Sequence, residues 1–182
     1  MGADGGETGS EERSYRGLPG AFPYAFRRSE SWLFKSYVLV GGLFAVGLVV
    51  FFAIALVVAV SNTLGAIGGT FTFSRSFVVF VGLLVLVPVL APVLLVARRH
   101  RRGVASARYD RAIAASGYLF IPALYLLLVV TAPPEYRETP TGAIAPVVEF
   151  LYGLHPLVGV LPPLFAASVT YLVHRQFRST ES

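Results

Sequence analysis

Four long stretches of the chain carry no Asp, Glu, Lys or Arg: 37–60, 76–97, 112–132 and 156–173. Apolar residues run almost continuously through each, with neither the alternation of a half-buried strand nor a polar stripe reserved for water. A helix that is apolar all round belongs in a protein core or in lipid. Runs of this length match the hydrocarbon thickness of a bilayer. At the helical rise the first covers about 36 Å and the last about 27 Å, enough to cross. The pattern predicts an all-α integral membrane four-helix bundle.

Polar and proline positions supply the punctuation. Ser61 to Arg75 is rich in Gly, Ser and Thr and reads as the first outer loop. Its Gly65, Gly68 and Gly69 lack the spacing and the Lys-Ser/Thr ending of a phosphate loop. In the second span Pro88 and Pro92 stand four apart. Each removes an N–H and crowds the carbonyl four residues earlier, which predicts a bend and freed carbonyls that need partners inside the bundle. Pro133-Pro134 ends the third span, and Glu135 to Pro140 makes the second outer loop. The last apolar region, Ala145 to Val173, is broken at His155-Pro156. Pro146 to Leu154 therefore reads as a short interfacial helix before the fourth span, opened by proline in its first turn. Pro162-Pro163 is expected to bend the fourth span in its outer half. Gly41/Ala45 and Ala55/Ala59 in the first span have the small-xxx-small spacing that lets another helix approach.

Ahead of the first span, 1–14 is acidic and Gly-rich with nothing apolar to bury, and is expected to be disordered. From 15 to 36 aromatic residues interleave with Arg16, Arg27, Arg28 and Lys35, which suits a juxtamembrane segment in the headgroup layer. Pro19 and Pro23 argue against a helix through its first part. Ser29 or Ser31 is placed to cap the span that follows. No short basic lead precedes an apolar core at the start, so the first run is expected to be retained as a span.

Charge then fixes sides. Apolar residues make up 55 % of the chain and charged ones 14 %, against roughly a quarter charged in a soluble domain. Six of the fifteen basic residues, Arg98, Arg99, Arg101, Arg102, Arg108 and Arg111, fall within fourteen positions between the second and third spans. Such a block reads as a cytoplasmic loop facing anionic headgroups, a topology anchor under the positive-inside bias. Thirteen basic residues then lie on that side and two, Arg75 and Arg137, on the other. Both termini are expected in the cytoplasm, 175–182 being a cytoplasmic tail, and the protein in the cell membrane as a multi-pass chain. The net charge of +5 is thereby a lipid-facing excess and not a nucleic-acid footprint, since within the block only Tyr109 offers a stacking ring.

Candidate chemistry is sparse. The chain has no cysteine and no metalloprotease, nucleophile-elbow or phosphate-loop motif. No catalytic, cofactor-binding or metal-ligating residue emerges, and the first three spans hold no ionisable side chain except tyrosine, which counts against ion-coupled transport. Two weak polar sites remain. Glu149 and His155 lie about 120° apart on a continuous helix, so they meet only if the chain turns at Gly153 or Pro156, near the outer surface. Otherwise each simply reaches water or headgroups. Tyr118 and Tyr125 share a face with Pro122, where buried hydroxyls have to bond across the bundle.

Val, Ala, Gly and Leu spans, fourteen arginines to one lysine, no cysteine and the acidic start Ala3-Asp4-Gly5-Gly6-Glu7 make the whole chain resemble the small, uncharacterised four-span membrane proteins common in halophilic archaea. That resemblance implies no particular activity or site. The expected role is structural or accessory, non-enzymatic, without a cofactor, through contacts with lipids, with itself or with another membrane protein. A small-solute carrier or channel subunit is the alternative, resting on the prolines of spans two and four and on the Tyr118/Tyr125 face.

Overall fold

The computed structural model describes residues 17–64, 69–104 and 106–179; the acidic tail 1–14 lies outside them. Six helices follow in order: α1 (Gly17–Arg28), α2 (Trp32–Ser61), α3 (Gly69–Arg101), α4 (Ala107–Thr131), α5 (Ala145–Gly153) and α6 (Leu161–Ser179). Short 3₁₀ turns at Pro134–Tyr136 and Pro156–Val160 precede α5 and α6. No strand occurs among the described residues. Four helices are long and apolar enough to cross a membrane: α2, α3, α4, and α6 with the turn before it. The structure is an all-α bundle of four such helices, as the charge-free runs predict.

α4 is the central element and packs against α2, α3, α5 and α6. α2 and α3 form an antiparallel pair along one side, and α6 lies along the other side of α4. The start of α2, the α3–α4 turn and the end of α6 thus gather at one end of the bundle, the basic end. One apolar cluster fills that end, with Phe34, Tyr37, Val93, Val96, Ile113 and Ala114. A second fills the middle, with Ala45, Val89, Phe120, Ala123, Leu124 and Ala166.

Several expected boundaries move. The arginine block is not a loop. α3 runs through Arg98, Arg99, His100 and Arg101, because arginine is a good helix former and nothing before Gly103 stops the ladder. Gly103, at φ 74°, then closes α3. Its N–H bonds the His100 carbonyl at 3.2 Å and that of Val104 bonds the Arg99 carbonyl at 3.3 Å, a Schellman motif that uses glycine's freedom at positive φ. α4 begins at once, with Ser106 as N-cap accepting from the Tyr109 amide at 3.4 Å. Arg108, Tyr109, Asp110 and Arg111 are therefore helical, the first three within the first turn of α4. The expected outer loop 61–75 is likewise shortened, since α2 includes Ser61 and α3 already starts at Gly69.

Pro19 and Pro23 do not prevent a helix either. Pro19 stands in the first turn of α1, where its missing N–H costs nothing. The partner Pro23 fails to reach is the Pro19 carbonyl at the helix end. Tertiary packing outweighs that loss: Ala21 and Ala25 are fully buried, and α1 lies against α3 and α2, with Phe22 on Gly42. Ser31 is the N-cap of α2, accepting from the Phe34 amide at 3.3 Å. Pro162 and Pro163 fall in the first turn of α6, where proline is tolerated, and the expected bend within the span gives way to a 3₁₀-to-α junction.

Candidate functional site

The polar side chains that reach across the bundle converge at the basic end. Asp110, 1 % exposed, sits one turn into α4. Its Oδ2 accepts from the Ser29 hydroxyl at 2.6 Å and lies 2.9 Å from His100 Nε2. Three elements are thereby pinned to one oxygen: the α1–α2 junction, the last turn of α3 and the first turn of α4. An anion is favoured there, because a helix N-terminus carries positive partial charge. Oδ1 of the same carboxylate is buried without a hydrogen-bond partner.

This Ser/His/Asp group is no nucleophile relay. In such a relay histidine bonds the serine hydroxyl and the carboxylate orients histidine. Here serine and histidine both bond the carboxylate, so the Ser29 hydroxyl donates to Asp110 rather than to His100. The geometry makes a clamp. Among the described residues no group of His, Asp and Glu can hold a metal ion.

Next to the clamp, Arg99 of α3 is buried, 7 % exposed. Its guanidinium lies 4.2 Å over the Tyr109 ring, Nε donates to the Val104 carbonyl at 3.3 Å and Nη2 to that of Phe177 at 3.5 Å. A desolvated cation over an aromatic face contributes about 2 kcal/mol, enough to hold arginine where solvation is poor. The Tyr109 hydroxyl is 2.7 Å from Nδ1 of His174, and its ring meets Phe177 edge-on. The ends of α3, α4 and α6 are thus joined through one tyrosine. Against this lies a cavity of about 330 Å³ lined by Arg98, Arg99, Arg102, His174 and Arg178, with Leu95 and Val104 completing the wall. Four guanidinium groups border one hollow, which gives it a cationic lining.

The sequence-predicted positions divide. Arg98, Arg101, Arg102, Arg108 and Arg111 are exposed at the basic end, but Arg99 is part of the buried framework. Tyr118 is half-buried; its hydroxyl donates to Ser36 Oγ at 3.0 Å and its ring meets Tyr37 edge-on at 5.2 Å. Tyr125 is 67 % exposed, so the expected face with two buried hydroxyls does not form: seven residues on, that side of α4 has turned away from its neighbours. The buried hydroxyl belongs instead to Tyr37, which donates to the Val89 carbonyl at 2.7 Å, in the turn between Pro88 and Pro92. Glu149 and His155 are both exposed. His155 caps the 3₁₀ turn, its Nδ1 accepting from the Leu157 amide at 3.3 Å, and the structure does not bring the two together.

Sequence reasoning missed Asp110, Ser29 and the pairing of Tyr109 with His174. One signal was present: a single acid inside a run of arginines, four residues after a serine able to cap a helix.

No curated protein and no solved structure matches the chain. The chain matches the family described as Domain of unknown function (DUF8056) over residues 3–178, and this bundle, with its polar chemistry drawn to one end, belongs to that family.

Proposed function

We propose that this is a multi-pass protein of the cell membrane with a non-catalytic, accessory role, in which the bundle serves as a platform for contacts with itself or another membrane protein. The observation that carries this reading is the filled midsection. Ala45, Val89, Phe120, Ala123, Leu124 and Ala166 pack together there, and a packed apolar layer is unfavourable to an ion or polar solute. The outward face of α2 supports a contact role. Val40, Leu43, Phe44 and Leu48 line a hollow of about 440 Å³ around Gly47, and small residues are what let a second helix approach in lipid. Gly41 and Ala45, by contrast, are buried within the bundle. The basic end belongs on the cytoplasmic side in this reading, and the resemblance to halophilic archaeal four-span proteins fits the same picture.

The test combines purification in a mild detergent with reconstitution. The expected result is a stoichiometric complex, either self-association or one co-purifying membrane chain, that Gly47→Trp disrupts, and liposomes that remain tight to ions and small solutes. A monomer that conducts or transports in those liposomes would overturn the reading in favour of a carrier or channel subunit.

A further inference from the structure

The arginine-lined cavity does not end at its own walls. Leu95 and His174, which border it, also border a second hollow of about 250 Å³ between α3 and α6. That one is apolar, formed by Val87, Pro88 and Ala91 on α3 and Ala167, Thr170 and Tyr171 on α6. Small side chains at Ala91 and Ala167, and sparse contact between the two helices, leave the furrow open. From Leu95 back to Pro88, and from His174 back to Ala167, are seven residues each, so the furrow descends about 10 Å along the helix axes. A cationic cup at the end of the bundle thus adjoins an apolar furrow running along the spans, with Leu95 and His174 on the shared border. We propose that this composite site binds an anionic phospholipid, its phosphate in the cup and part of an acyl chain in the furrow.

The chemistry of the cup suits a phosphate ester. Arg98, Arg99, Arg102 and Arg178 present planar guanidinium groups, the side chain that pairs with phosphate through two parallel hydrogen bonds. Arg99 is fixed beforehand by the Tyr109 ring and two backbone carbonyls, so little ordering is required on binding. When the Tyr109 hydroxyl donates to His174 Nδ1, the ring proton resides on Nε2 and is available to an anion. The carbonyl ends of α3 and α6 offset part of the repulsion among these cations, and a bound anion offsets more. The nearest buried acid, Asp110, is engaged by Ser29 and His100. A soluble phosphate compound would use the cup alone; the furrow that shares two of its wall residues assigns the site to a lipid.

This inference rests on the membrane-spanning reading but not on the accessory role, and it is measured on the chain without a partner. The experiment is native mass spectrometry of the detergent-purified protein titrated with phosphatidylglycerol, phosphatidylcholine or glycerol 3-phosphate. Phosphatidylglycerol should be retained several-fold better than phosphatidylcholine. Arg98→Gln/Arg102→Gln, both on exposed positions, should remove that preference with thermal stability unchanged. Arg108→Gln/Arg111→Gln, which removes the same charge at the same end outside the cup, should leave it intact. Ala167→Phe, which fills the furrow, should weaken phosphatidylglycerol several-fold. Equal losses in the two arginine pairs would overturn the proposal in favour of general surface attraction. Glycerol 3-phosphate binding as well as the lipid, with Ala167→Phe silent, would overturn it in favour of a soluble phosphate ligand.

Discussion

At the scale of single residues, the basic end depends on groups whose neighbours come from distant parts of the chain. Asp110 is the clearest. Replacing it with asparagine removes the charge that holds Ser29 and His100, and a lost bond to a buried charged group costs about 1–3 kcal/mol. Thermal unfolding in detergent should show that loss for Asp110→Asn and a smaller one, about 1 kcal/mol, for Ser29→Ala. Equal stability of Asp110→Asn and wild type would mean that the clamp is incidental. Gly117 is the second such position. A Cβ there would lie 2.5 Å from Cζ of Tyr37, whose ring is backed by Gly41 with the corresponding distance at 3.0 Å. Tyr37 is fully buried and its hydroxyl is tied to the Val89 carbonyl, so Gly117→Ala should destabilise by about 1–3 kcal/mol. Gly47→Ala, where nothing lies within 4 Å, should be neutral in the monomer. The partnerships of these residues are not readable in sequence. Ser29 and Asp110 are 81 positions apart, and an acid surrounded by arginines reads as solvated charge until the helix that carries it is seen to begin inside the block.

Among the elements, the four spans and the short helix before the last were legible, whereas α1 and most helix ends were not. A charge-free run in lipid has one backbone solution, because every N–H must be satisfied within the segment; hence the four spans. Where a helix stops is decided by local competition. α3 passes through Arg98 to Arg101 because the first residue able to reverse the chain is Gly103, and α1 survives two prolines because Ala21 and Ala25 find a surface on the bundle. Proline position explains the rest: at a first turn it starts a helix, as in α5, and within α3 it leaves carbonyls to be served by other groups. The carbonyls left by Pro88 and Pro92 are those of Leu84 and Pro88, four residues earlier, and Tyr37 donates to the adjoining Val89 carbonyl in the same turn. If that hydroxyl compensates for the proline turn, Tyr37→Phe should cost about 1 kcal/mol in the wild type and clearly less in Pro92→Ala, where the amide ladder is restored. A double-mutant cycle on unfolding in detergent measures the difference. Strict additivity would mean the hydroxyl and the proline are unrelated.

For the whole molecule, the asymmetry of charge is the main organising feature, and the two basic residues outside the pattern have local explanations. Arg75 donates to Thr63 Oγ1 from both Nε and Nη2, at 3.0 and 2.7 Å. Arg137 donates to the Ala132 carbonyl at 2.9 Å and the Tyr152 carbonyl at 3.0 Å, with its guanidinium over the Tyr152 ring. Both tie connections together at the far end of the bundle, whereas the basic end gathers exposed cations at the ends of four helices. That division gives the bundle a polarity that lipid electrostatics can read, and the account depends on it: four crossings, with the arginine block inside. The absence of native cysteine makes this directly measurable. Single cysteines at Ser61, Thr141 and Val104 report the two far-end connections and the α3–α4 turn, Val104 being preferable to Ser106, which caps α4. With an impermeant thiol reagent added to intact cells, the cysteines at 61 and 141 should be labelled and that at 104 only after permeabilisation. Labelling at 104 in intact cells, with 61 and 141 protected, would contradict the orientation and the platform built on it.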